Sequence, residues 1–106
     1  MPISDYQKQI DDSVQQHAKP YWEPLSILAH IVEEVGEIAR ILNAQYGDKP
    51  LKPTDNPDSL DEEIGDVIYS ALCLANSQGI NMDEAMQIAI GKLETRDKDR
   101  FEKKVT

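Results

Sequence analysis

Two short stretches of this chain carry the same order of acidic, glycine and apolar residues. Residues 33–39 read Glu-Glu-Val-Gly-Glu-Ile-Ala, and residues 62–68 read Glu-Glu-Ile-Gly-Asp-Val-Ile. At helical spacing Glu34 and Glu37 fall on one side of a helix, and Glu63 and Asp66 repeat the arrangement. Four carboxylates without His or Cys inside either pair form a hard-oxygen ligand set. Such a set suits Mg²⁺ or Mn²⁺ and suits zinc poorly. An ion held there polarises a phosphoryl oxygen and lowers the pKa of a bound water, so the chemistry it points to is metal-assisted hydrolysis of a phosphoanhydride.

Two helices must position these acids. A turn of about 100° per residue gathers Leu28, Ile31, Val35, Ile38 and Leu42 into one apolar stripe, and Leu60, Ile64, Val67, Ala71 and Leu74 into a second. The acid pairs lie along the same edge of each stripe, where a carboxylate can point into the groove between two helices. Gly36 and Gly65 share one register in the two copies. A mid-helix glycine costs about 1 kcal/mol relative to Ala, so two at equivalent places imply either close backbone approach or room for a ligand. Glu33 and Glu62 are expected to face solvent. His30 precedes Glu34 by one turn and can reach the acid edge.

The remaining elements read as helices too. Ser4 is a candidate N-cap for a first helix over residues 5–17, with a thin stripe of Tyr6, Ile10 and Val14. Pro20 and Pro24 bracket Tyr21, Trp22 and Glu23; proline ends one helix and is tolerated in the first turn of the next. The second helix is expected from Pro24 to Gln45 with Gly47 as its C-cap. Residues 46–58 contain three prolines and no periodicity, which predicts a loop. Ser59 with Glu62 resembles a capping box for a third helix over about 60–78, ended by Gly79. Asn81 with Glu84 resembles another, opening a fourth helix from Met82 to at least Thr95 with a stripe of Met82, Ala85, Met86, Ala89 and Leu93. No β pattern occurs.

Lys92, Arg96 and Arg100 recur one turn apart at the basic end of the chain. If the helix persists, Arg96 and Arg100 fall near the inward register of Met82 and Leu93. Basic residues favour helix C-termini through the macrodipole; the alternative is a phosphate-binding edge of guanidinium forks and an ammonium. Trp22, in its proline-bracketed turn, is the aromatic residue best placed to stack on a base.

At 106 residues the chain is expected to be one domain with a small core. Hydrophobic and charged contents of 40% and 29% suit a globular protein. The net charge of −9 argues against binding to nucleic acid or to an anionic membrane. It also means that a phosphate-bearing ligand needs cations between itself and the acids. One cysteine, Cys73, excludes a disulfide within the chain and reads as an inert helix residue. With no signal peptide or membrane-length apolar run apparent, the expected location is cytoplasmic.

Glu34-x-x-Glu37 followed by Glu63-x-x-Asp66 resembles the signature of the MazG-type nucleoside triphosphate pyrophosphohydrolases, of the all-α NTP pyrophosphatase superfamily. The resemblance covers roughly residues 21–101. It extends to Tyr21-Trp22, to Leu74-Ala75-Asn76-Ser77, and to the run from Lys92 through Arg96-Asp97 to Arg100-Phe101. It implies an all-α four-helix bundle completed by dimerisation, as a homodimer or a dimer of dimers. It implies Mg²⁺ on Glu34, Glu37, Glu63 and Asp66, and hydrolysis of an NTP or dNTP to the monophosphate and pyrophosphate. It also implies that Lys92 and Arg96 lie on the phosphate side. The role expected is nucleotide-pool house-cleaning by a single MazG-like unit. Two alternatives stand beside it: a phosphoribosyl-ATP pyrophosphatase-like activity, and a non-enzymatic metal-binding dimerisation module.

Overall fold

A computed structural model describes residues 1–52 and 59–105; the part of the predicted loop over 53–58 lies outside the described residues. Four helices follow in order: α1 Ile3–Val14, α2 Pro24–Tyr46, α3 Leu60–Ser77 and α4 Met82–Glu94. No strand occurs among the described residues. Pro24 opens α2 from its first turn, where its missing N–H costs nothing. Gly47 does cap α2, but in an extended conformation (φ −106°) rather than a left-handed one. A side chain there would run into Asn43, so glycine serves by lacking a Cβ.

The turn between α3 and α4 is a Schellman stop. Gly79 takes φ +68°, its N–H bonds Asn76 O at 3.2 Å, and the Ile80 N–H bonds Ala75 O at 2.9 Å. Asn81 then caps α4, its side-chain oxygen accepting from the Glu84 N–H at 3.1 Å. The other two expected caps are not formed. Pro2, not Ser4, precedes α1, and the Ser4 hydroxyl donates to Asp83 of α4 instead. Ser59 stands at the N-cap of α3 without capping its amides; its hydroxyl donates to Asp61.

Helices α2 and α3 form the main pair, α1 lies across α3, and α4 rests on α1. The α1 contact is polar at its centre. Gln7, buried, donates to Asn76 Oδ1 at 2.9 Å and to Ile80 O at 2.8 Å, and accepts from the Met82 N–H at 2.9 Å. Asn76 in turn donates to Gln7 O at 2.9 Å and to the Tyr21 hydroxyl at 3.0 Å, while that hydroxyl donates to Asp11 at 2.7 Å. One glutamine thus ties α1 to the α3–α4 turn. Its position on the inward face corrects the expected Tyr6–Ile10–Val14 stripe, because Tyr6 is half exposed.

The buried apolar residues are Val14, Ile27, Ile41, Leu72 and Ala75. On α2 the covered face is therefore that of Ile27 and Ile41, rotated from the expected stripe, whose members Leu28, Val35 and Leu42 are exposed. On α3 Ile64 is exposed and its neighbour Glu63 is buried. Glu63 accordingly sits in the seam between the helices, with Glu34 half-buried and Asp66 exposed. Helix α4 buries none of its residues, and Leu93 is 55% exposed, against the inward orientation expected of it. A radius of gyration of 17.6 Å exceeds the roughly 13 Å of a compact domain of this length. The long helices leave apolar faces uncovered.

Candidate metal centre and adjoining cavity

Helix α2 supplies Glu34 and Glu37, and α3 supplies Glu63 and Asp66. Glu34, Glu63 and Asp66 each bring one carboxylate oxygen within 4.8 Å of the others. Glu63 is only 5% exposed, Glu34 is half-buried and Asp66 is exposed, so the cluster grades from the seam out to solvent. Carboxylates this close repel unless a cation or protons lie among them. The donor set is all oxygen and open on the Asp66 side, which fits a hard divalent cation that keeps some of its waters. Glu37 lies one turn beyond Glu34, outside this group, with Oε2 3.7 Å from Arg40 Nε.

His30 joins the cluster to its surroundings. Its Nε2 stands 3.4 Å from Glu34 Oε1, and its Nδ1 3.6 Å from Glu33 Oε2. The Trp22 ring meets the imidazole edge-on, with centroids 5.6 Å apart and planes at 81°. Both rings line a cavity of about 360 Å³ whose walls include Val14, Ile27, Tyr69, Ser70 and Cys73. Burial raises the pKa of the Cys73 thiol above its ordinary value and outweighs the hydrogen bond with Tyr69 that opposes it, in keeping with an inert cysteine.

The basic residues are placed differently from expectation. Helix α4 ends at Glu94, so Arg96 and Arg100 do not continue its inward register. The Arg96 guanidinium forks onto Asp97, with Nε–Oδ1 at 3.0 Å and Nη2–Oδ2 at 3.1 Å, and Arg100 reaches the same carboxylate at 3.4 Å. The Arg96 hydrogen bond holds the Asp97 carboxyl below its ordinary range. Lys92 is exposed on α4, which packs mainly on α1. Among the described residues Gly36 and Gly65 have nothing within 4 Å of where a Cβ would stand, so no close approach among those residues explains them.

Residues 22–101 match the family model of the MazG nucleotide pyrophosphohydrolase domain. The chain belongs to the MazG family. It is 43% identical to YpjD of Bacillus subtilis strain 168 over 102 residues, 96% of this chain and 92% of YpjD. It is 26% identical to YvdC of the same strain over 102 residues, 91% of this chain and 96% of YvdC. The crystal structure of Bacillus subtilis YpjD superposes with a TM-score of 0.78 at 40% identity, over 90% of this chain and 97% of that one. The crystal structure of a Bacillus-conserved MazG protein, a nucleotide pyrophosphohydrolase, gives a TM-score of 0.76 at 37% identity, over 93% and 96% of the two chains. The MazG assignment matches the all-helical architecture seen here. No helix among the described residues is long and apolar enough to cross a membrane.

Proposed function

We propose that this MazG protein hydrolyses a nucleoside or deoxynucleoside triphosphate at the α–β bond, releasing monophosphate and pyrophosphate, in the service of nucleotide-pool house-cleaning in the cytoplasm. The observation that carries the reading is the convergence of Glu34, Glu63 and Asp66 beside a cavity walled by Trp22 and His30. Glu34, Glu63 and Asp66, with Glu37 one turn away, would hold Mg²⁺ or Mn²⁺. A bound ion supplies charge neutralisation for the phosphates and a more acidic water. His30 orients the Glu34 carboxylate by contact with Oε1. A carboxylate of the cluster accepts the proton of the attacking water as its oxygen bonds the α-phosphorus. The bond from that phosphorus to the bridging oxygen breaks, and pyrophosphate leaves. Trp22 covers the nucleoside end at the cavity.

Lys92 and Arg96 belong to the phosphate side in this reading, yet α4 packs mainly on α1. A second copy of the chain resolves this. Leu28, Val32 and Val35 of α2, Ile64 and Ile68 of α3, and Ile88, Ile90 and Leu93 of α4 are all exposed. A homodimer, or a dimer of dimers, covers these faces and brings a basic edge to the acid groove. Gly36 and Gly65 then give a neighbouring helix room.

The test is a panel of NTPs and dNTPs, with phosphoribosyl-ATP included, run with and without Mg²⁺ or Mn²⁺ in ¹⁸O-water. The expected result is equal monophosphate and pyrophosphate, with the label in the monophosphate. Diphosphate and orthophosphate as primary products would overturn the reading.

A further inference from the structure

The cavity wall that carries Trp22 is held by hydrogen bonds rather than by burial. Residues 15–23 join α1 to α2 outside any helix, and none of them is buried. From this connection His17, Lys19, Pro20, Tyr21 and Trp22 line the cavity; α2 and α3 close its other side. Trp22 is 57% exposed, so packing alone does not fix its ring. Pro20 and Pro24 stiffen the backbone on either side, but a stiff connection still needs a point of attachment to the bundle.

The side chain of Tyr21 supplies that point. Its hydroxyl donates to Asp11 Oδ1 of α1 at 2.7 Å and accepts from Asn76 Nδ2 of α3 at 3.0 Å, so the phenol uses both its donor and its acceptor. Among the described residues these are the hydrogen bonds that tie residues 18–22 to a helix. Asn76 is itself fixed: its Oδ1 accepts from Gln7 Nε2 at 2.9 Å, and its amide also donates to Gln7 O at 2.9 Å. Burial, followed by the bond to Asp11, pushes the Tyr21 pKa up to about 12, so the hydroxyl keeps its proton at neutral pH. The same bond holds the Asp11 carboxyl below its ordinary range, which keeps it an acceptor. A phenyl ring would fill the same space. What the hydroxyl adds is a fixed point, joined to two helices, one residue away from Trp22.

We propose that Tyr21 is a positioning residue of the nucleotide site: its hydroxyl, clamped between Asp11 and Asn76, holds the neighbouring Trp22 against His30 at the cavity, in place to meet the nucleoside. This rests on the nucleotide reading of the site above. Trp22 is the single tryptophan of the chain, so its fluorescence reports one ring. Time-resolved anisotropy of the full chain, without metal or nucleotide, measures how firmly that ring is held. In Tyr21→Phe the fast motion of the ring should increase, while the metal-induced rise in melting temperature stays that of the parent. In steady state the KM for the best triphosphate should rise about three- to tenfold. The kcat should stay within about twofold, because Trp22 binds ground state and transition state alike. Asp11→Ala removes the α1 end of the clamp and should move both readouts the same way; Asp11→Asn, whose amide oxygen still accepts, should keep the parental values. The Asp11 pair decides the matter if Tyr21→Phe does not fold. Parental anisotropy or parental KM in the folded variant would overturn the proposal, and so would a loss confined to kcat. A lowered melting temperature with both readouts unchanged would mark the hydroxyl as structural and overturn it too. Because anisotropy is read without nucleotide, its failure with pyrophosphate release intact removes the role of Tyr21 alone. A ring freed in the variant, with no hydrolysis by the parent, removes the reaction instead.

Discussion

Glu34 of α2 and Glu63 of α3 face each other from inside a helix–helix seam, with carboxylate oxygens within 4.8 Å of each other and of Asp66. A position that would ordinarily be apolar holds a carboxylate at 5% exposure. Two unit charges at such a separation repel by about 3 kcal/mol at an effective dielectric near 20. A cation among these carboxylates would offset that repulsion.

That repulsion makes the melting temperature sensitive to metal. Millimolar Mg²⁺ or Mn²⁺ should raise it, since a ligand of the native state stabilises by mass action. Glu63→Gln should gain much less than the parent when metal is added. Differential scanning calorimetry with and without the ion checks this, and identical curves for the parent protein would remove the shared site.

The carboxylates of α2 should separate in kinetics. Glu34 is inside the cluster and Glu37 is outside it beside Arg40. Glu34→Gln should cut kcat at least ~100-fold with the helical circular dichroism intact. Glu37→Gln should cost clearly less. Steady-state rates at saturating metal decide between this order and its reverse.

Gly36 and Gly65 test the assembly. Among the described residues an added methyl meets nothing within 4 Å, and alanine is favoured over glycine in a helix by about 1 kcal/mol. If a second copy packs against these positions, Gly36→Ala and Gly65→Ala should weaken association in sedimentation experiments. Higher melting temperatures with unchanged sedimentation would mean that the glycines face solvent in the assembly.

The clasp between α1 and α4 should respond to acid. Ser4 donates its hydroxyl to Asp83, and its N–H lies 3.3 Å from the same carboxylate; the hydroxyl bond is the main cause of an Asp83 pKa below its ordinary 3.8. A depressed native pKa contributes stability that is complete above the unfolded value and lost as the pH falls through the folded one. The gap in melting temperature between the parent and Ser4→Ala should thus be full above pH 3.8 and close below it. A gap that persists at lower pH would assign the effect to packing instead.

Local chemistry made much of this protein legible in one dimension. Pro24, Gly79 and Asn81 act on backbone groups a few residues away, so the helix boundaries they set follow from their neighbours in the chain. The acid pairs are also a local signal, because their spacing alone puts each on one helix side. Which side faces the core is a different matter. Helices α2 and α3 are apolar on two faces, and a periodicity read from residue types does not say which face the same chain covers. Packing chose Ile27 and Ile41 over Leu28, Val35 and Leu42, and in doing so drew Glu63 into the seam. Tertiary contact likewise turned Gln7, a polar residue on a polar helix, into the joint between α1 and the α3–α4 turn. It also left the buried Ser70 hydroxyl without a hydrogen-bond partner among the described residues. Burial and partnership depend on atoms brought together from distant parts of the chain, and only the packed helices decide them.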